Sequence, residues 1–144
     1  MCKKGDIIGV QNPISEDGRM IGFHYYVVIS DEKGKIRGFE FDKVASIMSS
    51  FHSEDQMRKK LKCRENILVR TNNFNLRKRT QKDGYIKADQ LHYFDKKKTK
   101  YYEIGRVDIE LFNELVERIK ELDSKGKIKQ NLNNVMDTNK IINN

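Results

Sequence analysis

One stretch of the sequence, residues 24–30 (HYYVVIS), limits the possible folds more than any other feature. Aromatic and β-branched residues fill it, and no charged residue interrupts it. A strand with one face in water alternates apolar and polar residues, and this stretch does not. It therefore predicts a central strand that is buried on both faces of a sheet.

Further short segments of β-prone residues lie on both sides of this stretch. Residues 5–11 form a run that ends at Asn12 and Pro13, the only proline of the chain. The other predicted strands lie within residues 39–50, 66–71, 85–91 and 101–107. The polar segments predict a hairpin turn at residues 31–35 and a loop at residues 72–84. The sequence thus predicts about six or seven short strands.

Two segments have the signals of helices. Ser53 is an N-cap candidate with acidic residues in the first turn, and it predicts a short helix inserted between two strands. Asp108 precedes apolar residues at i, i+3, i+4 spacing, which predicts a helix over residues 108–122. Residues 124–144 are rich in Asn and Lys and predict a weakly ordered polar tail after a domain of residues 1–123. The whole pattern indicates a mainly β protein, a small SH3-like antiparallel barrel with a C-terminal helix.

Charge and cysteine content restrict the function classes. The chain of 144 residues has 29 Lys and Arg against 21 Asp and Glu, a formal charge of +8 that favours nucleic acid or an acidic partner. Coding bias towards Lys, Asn and Ile is the alternative source of this charge. No metal-ligand spacing or disulfide framework occurs among the candidate residues, which are Cys2, Cys63, His24, His52 and His92. We therefore expect no metal and no cofactor.

The apolar runs are too short for a membrane span. The longest run, residues 25–29, is far below the ~18–20 residues that cross a bilayer. No apolar segment follows the basic N-terminal residues as it would in a signal peptide. These features predict a soluble, cytoplasmic protein without a membrane partner.

Several short motifs follow one another in a fixed order between residues 4 and 122. They are Lys4-Gly5-Asp6-Ile7 with Pro13, Ser15-Glu16-Asp17-Gly18, the strand from Gly22 to Ile29, Val44-Ala45-Ser46-Ile47, Tyr85 to Leu91 with its Asp89-Gln90-Leu91 end, and Ile104-Gly105-Arg106-Val107. In this order they resemble the MazF/PemK toxins, which are sequence-specific endoribonucleases of bacterial toxin–antitoxin systems. The resemblance implies a MazF/CcdB-type barrel, single-stranded RNA (mRNA) as substrate, an antitoxin as partner and a homodimer.

The resemblance also implies candidate catalytic residues. The family places an Arg-Pro pair, with a catalytic Arg, where this chain has His24-Tyr25, and a hydroxyl residue where this chain has Met48. His24 can act as base or acid in RNA cleavage, since imidazole titrates near neutral pH. Ser49 or Ser50 can supply the hydroxyl, and Arg19 a cation. The alternatives are a histidine bonded to backbone and an ordinary Ser-Ser turn.

A basic loop and one glutamine are the candidates for RNA binding. Arg77, Lys78 and Arg79 lie between Phe74 and Tyr85, and this mix of charge and aromatic rings suits single-stranded RNA. Gln90 matches a family position near the RNA groove and can read a base edge. A solvated loop and a solvated strand end are the alternatives.

The implied reaction is metal-independent cleavage of single-stranded RNA. The ribose 2′-OH attacks the adjacent phosphate and leaves a cyclic phosphate and a 5′-OH. One alternative keeps the barrel without the chemistry, as a gyrase poison like CcdB or as an RNA-binding module. Another alternative is the same nuclease inhibited by an RNA antitoxin instead of a small acidic protein. The sequence leaves open the cleavage motif, the kind of antitoxin, the oligomeric state and the choice between Ser49 and Ser50.

Overall fold

A computed structural model describes residues 2–10, 24–77 and 81–133 of the chain. Within these ranges the chain forms strands joined by short connections, with two helices between them. In order they are β1 (Asp6–Val10), β2 (His24–Ser30), β3 (Gly34–Ile36), β4 (Phe39–Phe41), β5 (Lys43–Ser50), α1 (Glu54–Leu61), β6 (Asn66–Val69), β7 (Phe74–Leu76), β8 (Gly84–Lys87), β9 (Gln90–Phe94), β10 (Tyr101–Val107), α2 (Ile109–Ser124) and β11 (Lys129–Leu132).

Strand β2 lies in the middle of the main sheet. The strand order is β11-β9-β5-β2-β1-β10-β7, with β8 paired to β5 and β6 paired to β8. On β2, Tyr26, Val27 and Val28 have 0% of their surface exposed. This burial confirms the prediction of a central strand that is covered on both faces.

The alternating side chains of β2 enter two different apolar layers. The helix-side layer comprises Ile7, Val27, Met48, Ile67, Val69, Phe74, Leu76, Ile86, Ala88, Ile104 and Val107 with Leu111, Leu115 and Leu122 of α2. The outer layer comprises Ile8, Val10, Tyr26, Val28, Ala45 and Phe94. A residue on β2 or β5 therefore belongs to one layer or the other according to its position in the alternation.

Both predicted helices are present. In α2 the Asp108 carboxylate accepts a hydrogen bond from the Leu111 N–H at 2.8 Å, as an N-cap should, and the helix continues to Ser124. In α1 the Ser53 hydroxyl accepts from the Gln56 N–H at 3.1 Å, but this helix buries none of its residues. In the described ranges no helix combines the length and apolarity required for crossing a bilayer.

The predicted hairpin turn at residues 31–35 is wrong. The turn lies at Arg37 and Gly38, between β3 and β4, and both residues have positive φ, 48° and 81°. Two successive residues with positive φ suit a two-residue hairpin turn, whose twist matches the flanking strands. The sequence signal at residues 31–35 instead marks the polar connection that leaves β2.

Two short strands were not expected from the pattern. The predicted loop at residues 72–84 contains β7, where buried Phe74 and Leu76 flank exposed Asn75. The single strand predicted over residues 85–91 is divided into β8 and β9 by a turn at residues 88–89. Strands of three to five residues are too short to give a reliable periodic signal.

The segment expected to be a weakly ordered tail contains a strand. Residues Lys129–Leu132 form β11, which pairs in parallel with β9, and Leu132 is only 5% exposed. The Lys129 N–H donates to the Asp89 carbonyl at 2.7 Å and holds the start of this strand. The strand forms on the free backbone edge of β9, which a sequence pattern does not reveal. The domain boundary at residue 123 stays a prediction.

The packing of α2 on the sheet predicts a large asymmetry between two positions of this helix. Leu115 is 0% exposed in the helix-side layer, whereas Ile109 is 69% exposed. We expect Leu115→Ala to lower the free energy of unfolding by about 2–5 kcal/mol, because it leaves a cavity in the core. The matched control Ile109→Ala should change it by less than about 0.5 kcal/mol. Urea unfolding followed by circular dichroism measures both, and equal losses would contradict the described packing.

Candidate active site

His24 and Ser49 lie on the same face of the sheet. Tyr25 pairs with Met48 across β2 and β5, so the next step in this antiparallel register brings His24 opposite Ser49. Facing residues of paired strands share a side of the sheet. This side continues the outer layer, to which Tyr26 and Ile47 also contribute. Both His24 and Ser49 are partly exposed, so solvent reaches them.

Met48 and Ser50 point to the other side of β5. Met48 is 8% exposed and belongs to the helix-side layer, where it faces Tyr25. The position that the resemblance aligns with a hydroxyl residue is therefore a core position in this chain. Ser50 is two residues after Met48 and so points to the same side of β5, but it is exposed at the end of the strand. The register thus distinguishes two serines that the sequence left equivalent.

The backbone of β8 holds Ser49 in place. Ser49 pairs with Tyr85, and Ser50 pairs with Gly84. A Cβ atom added at Gly84 would lie 2.0 Å from the Ser49 carbonyl oxygen, so only glycine allows the strands to approach this closely. A larger residue at this position would move the end of β5 and the Ser49 hydroxyl with it.

An aromatic pair and a lysine border Ser49. The rings of Phe51 and Tyr85 stack with their centroids 5.3 Å apart and an interplanar angle of 27°. The Lys60 ammonium of α1 lies 5.8 Å from the centroid of the Tyr85 ring, within cation–π distance. Helix α1 therefore brings positive charge to this end of the sheet.

His92 is a second histidine on the same side of the sheet. It is 4% exposed on β9, and its ring meets the edge of the Tyr26 ring at a centroid distance of 5.1 Å. Burial, and after it the electrostatic effect of His24, Lys87 and Lys129, lowers the pKa of His92 to about 4. The imidazole is therefore neutral at pH 7. Sequence reasoning gave it no role, because its neighbour His24 is distant in sequence and β9 was not recognised as a separate strand.

The residues predicted to bind RNA have different surroundings from those expected. Arg77 follows β7 and forms an exposed ion pair with Glu103 at 2.6 Å. Phe74 is 7% exposed in the helix-side layer and Tyr85 is stacked on Phe51, so the prediction that both offer ring faces beside the basic loop is wrong. Gln90 begins β9 and pairs with Lys129 of β11. The predicted site residues Lys78, Arg79 and Arg19 lie outside the described residues.

Two of the motifs that carry the resemblance have a structural role. Asp6 is 2% exposed, and its carboxylate accepts hydrogen bonds from the Arg106 guanidinium at 2.8 Å and the Lys3 N–H at 2.7 Å. Asp6 faces Arg106 across the β1–β10 pair. A buried carboxylate requires such partners. This ion pair joins the first and last motifs of the domain, and it lies away from His24 and Ser49 in the sheet.

The described ranges contain no group of three or more His, Cys, Asp or Glu side chains able to hold a metal ion. Both cysteines are free, Cys2 partly buried and Cys63 exposed.

The fold and the sequence together identify the class of protein. The curled antiparallel half-barrel with its two helices is a MazF-like fold. Residues 3–122 match the family of PemK-like, MazF-like toxins of type II toxin–antitoxin systems, and the chain belongs to this family. Toxins of this family are generally endoribonucleases, bind RNA and an antitoxin, and usually dimerise. Comparison with curated proteins gives no significant match.

The buried, neutral His92 predicts a specific dependence of stability on pH. Its folded pKa of about 4 lies below the ordinary 6.5, so the unfolded chain takes up this proton first as the pH falls. The stabilisation is complete above about pH 6.5 and is lost as the pH falls towards 4. Between pH 7 and pH 4 the wild type should lose about 3 kcal/mol more unfolding free energy than His92→Gln. Urea unfolding at several pH values measures this difference.

The control for this prediction is His52→Gln at an exposed position, which should keep the wild-type pH dependence. A His92→Gln protein that loses stability as steeply as the wild type would show that His92 is already charged in the folded state.

Proposed function

We propose that this toxin cleaves single-stranded RNA without a metal ion, using His24 and Ser49. The observation that carries the proposal is their placement opposite each other on one face of β2 and β5. An imidazole and a hydroxyl at such positions can both reach one phosphate group. Family membership supports the reaction class, since PemK-like toxins are generally endoribonucleases.

His24 is proposed to transfer the proton of the attacking group. The imidazole nitrogen removes the proton from the ribose 2′-OH, and the 2′-oxygen forms a bond to the adjacent phosphorus. The bond from phosphorus to the 5′-oxygen breaks, and this oxygen takes a proton from an acid. The products are a cyclic phosphate and a 5′-OH. Such a proton transfer typically contributes a factor of about 10²–10⁴ to the rate.

The remaining roles concern charge on the phosphate and the binding of the RNA strand. The Ser49 hydroxyl donates a hydrogen bond to a phosphate oxygen as negative charge develops there. Arg19 is proposed as the cation at this site. Arg77, Lys78 and Arg79 are proposed to contact the RNA backbone, and Gln90 a base edge.

The partners follow from the family. The physiological inhibitor is proposed to be a protein antitoxin, because the family to which the chain belongs is one of type II systems, in which the antitoxin is a protein. An acidic antitoxin would complement the formal charge of +8. This favours a protein over an RNA antitoxin. We further propose that the toxin is a homodimer that acts in the cytoplasm.

Two departures from the family pattern favour a second function, that of a barrel of the same family that binds without cutting. Met48 is a core residue at the position that the resemblance aligns with a hydroxyl, and His24 replaces the catalytic Arg. A gyrase poison or an RNA-binding module would need neither group. Direct cleavage assays separate this candidate from the nuclease.

We expect the purified protein to cut single-stranded RNA in excess EDTA. It should leave DNA oligonucleotides intact and fail on RNA with a 2′-O-methyl group at the cut site, because the nucleophile is then blocked. His24→Ala should lower the cleavage rate by roughly 10²-fold with little change in RNA affinity. His24→Arg restores the residue usual in the family and should retain part of the activity. Gel analysis of labelled RNA measures all of these rates.

The control for the His24 variants is His52→Ala, at an exposed position beyond the end of β5. A wild-type protein that needs a metal, or a His24→Ala protein that cuts at the normal rate, would remove the catalytic assignment and favour the binding function.

The two adjacent serines provide a matched pair of variants. Ser49→Ala should lower the cleavage rate by about 10²-fold, because it removes a hydrogen-bond donor from the proposed phosphate site. Ser50→Ala should keep nearly the full rate, since Ser50 points to the other side of β5. Single-turnover cleavage of the same RNA by both proteins measures the difference. The reverse order of effects would contradict the register argument.

A further inference from the structure

Several buried polar atoms around His92 have no hydrogen-bond partner among the described residues. They are the Tyr26 hydroxyl, both ring nitrogens of His92 and the Asn131 side-chain nitrogen. Asn131 lies opposite His92 in the pairing of β11 with β9, and Tyr26 contacts the His92 ring. Leaving a buried donor without an acceptor costs about 1–3 kcal/mol. Three neighbouring side chains that can each donate a hydrogen bond therefore lack an acceptor.

Two lysines lie beside this polar cluster. Lys87 ends β8, and Lys129 begins β11. The hydrogen bond from the Lys129 N–H to the Asp89 carbonyl at 2.7 Å fixes β11 to the turn that follows Lys87. Neither lysine forms an ion pair with a described residue. Both lysines also lower the pKa of His92.

The cluster and the lysines share the sheet face of His24 and Ser49. Lys87 follows Tyr85 by two residues on β8, and Tyr85 faces Ser49. His92 faces Ala45, which belongs to the same alternation of β5 as Ser49. Lys129 faces Gln90, two residues before His92, in the register of β11. The alternation of each strand therefore directs these groups to one side.

We propose that Lys87 and Lys129, together with the buried Tyr26 and His92 and the partly buried Asn131, form a subsite for a backbone phosphate of the RNA. Buried donors without acceptors, beside cations that form no ion pair with a described residue, are the complement of an anion with several acceptor oxygens. Only the choice of RNA as the source of the phosphate rests on the function proposed above. This phosphate lies on the same face of the sheet as the one that is cut at His24 and Ser49.

An acid in the same turn opposes the binding of an anion. Asp89 lies between β8 and β9. Burial, and after it the charge of Glu65, raises the pKa of its carboxyl, and the opposite effect of Lys87 and Lys129 offsets this only in part. Its Oδ1 atom is buried and has no partner among the described residues. This carboxylate weakens the positive potential at the subsite, and its removal should strengthen phosphate binding.

The subsite extends beyond the domain that the family shares. The family match ends at residue 122, and Lys129 and Asn131 come from the following strand β11. A segment outside the matched region thus adds two of the five side chains. An acidic peptide is the competing occupant, and phosphate is favoured because the candidate cleavage residues lie on the same face.

The test uses the full-length protein and a fluorescent oligoribonucleotide that carries 2′-O-methyl groups and cannot be cut. The substitution pair Lys87→Ala with Lys129→Ala should raise the Kd for this probe roughly 10-fold at low salt. It should also reduce the slope of log K against log salt by about 0.7 for each phosphate that the variant no longer neutralises. Asp89→Asn should lower the Kd. Lys127→Ala, an exposed lysine two residues before Lys129, is the matched control and should leave the Kd unchanged.

A second measurement reports on the buried cluster itself. The imidazole C–H resonance of His92 should shift when the probe is added to the wild type, and it should stay in place with the double lysine variant. Thermal unfolding confirms that the double variant remains folded, as expected for substitutions of partly or fully exposed lysines.

The outcomes separate the subsite from the proposed function. A double variant with the wild-type Kd and salt slope would overturn the subsite, even if the wild type cuts RNA. A wild type that binds the probe through these lysines but cuts no RNA would support the subsite and overturn the nuclease function. If the double variant binds a polyglutamate peptide more weakly than the wild type but binds RNA equally well, the surface is a site for an acidic protein, and the phosphate proposal is overturned.

Discussion

The burial of β2 on both faces is the constraint on which the rest of the structure depends. Tyr26, Val27 and Val28 leave water completely, and a valine side chain contributes about 1.5–3 kcal/mol when buried. A strand of this kind needs an apolar layer on each side. Helix α2 completes one layer, and Val10, Ala45 and Phe94 help to form the other. Side chains that need water can therefore lie only near the ends of β2, which is where His24 lies.

The alternation that fills the two layers also sets the candidate site. Because side chains alternate along a strand, a shift of one residue between β2 and β5 would put Met48 on the outer side and Ser49 in the helix-side layer. Such a shift would remove Met48 from the helix-side layer and put a serine there, so packing strongly disfavours it. The opposition of His24 and Ser49 is therefore maintained by apolar residues that take no part in chemistry. The close approach of Gly84 to Ser49 adds a second constraint from β8.

The sequence predicted those features whose cause is local. The apolar pattern of residues 24–30 predicted the central strand, and the capping residues Ser53 and Asp108 predicted where the two helices begin. Both signals act within a few residues of the chain. Strands β7 and β11 were missed, since each has one or two buried apolar side chains and forms by pairing with a distant edge. His24 was found through the family motif. The preference for Ser49 over Ser50, and the position of His92 beside Lys87 and Lys129, depend on long-range register and were not predictable.

The surroundings of His92 show how a stable sheet can retain a costly polar cluster. Apolar side chains at Tyr26, His92 and Asn131 would avoid the loss of about 1–3 kcal/mol for each unpaired buried group. The cluster persists because the outer layer and β11 fix the backbone on both sides, so the side chains cannot turn to water. An anion bound there would supply the acceptors that these donors lack. The free energy that the unpaired donors cost the empty protein is recovered when the anion binds. The anion therefore binds more tightly, because these donors are already oriented and desolvated.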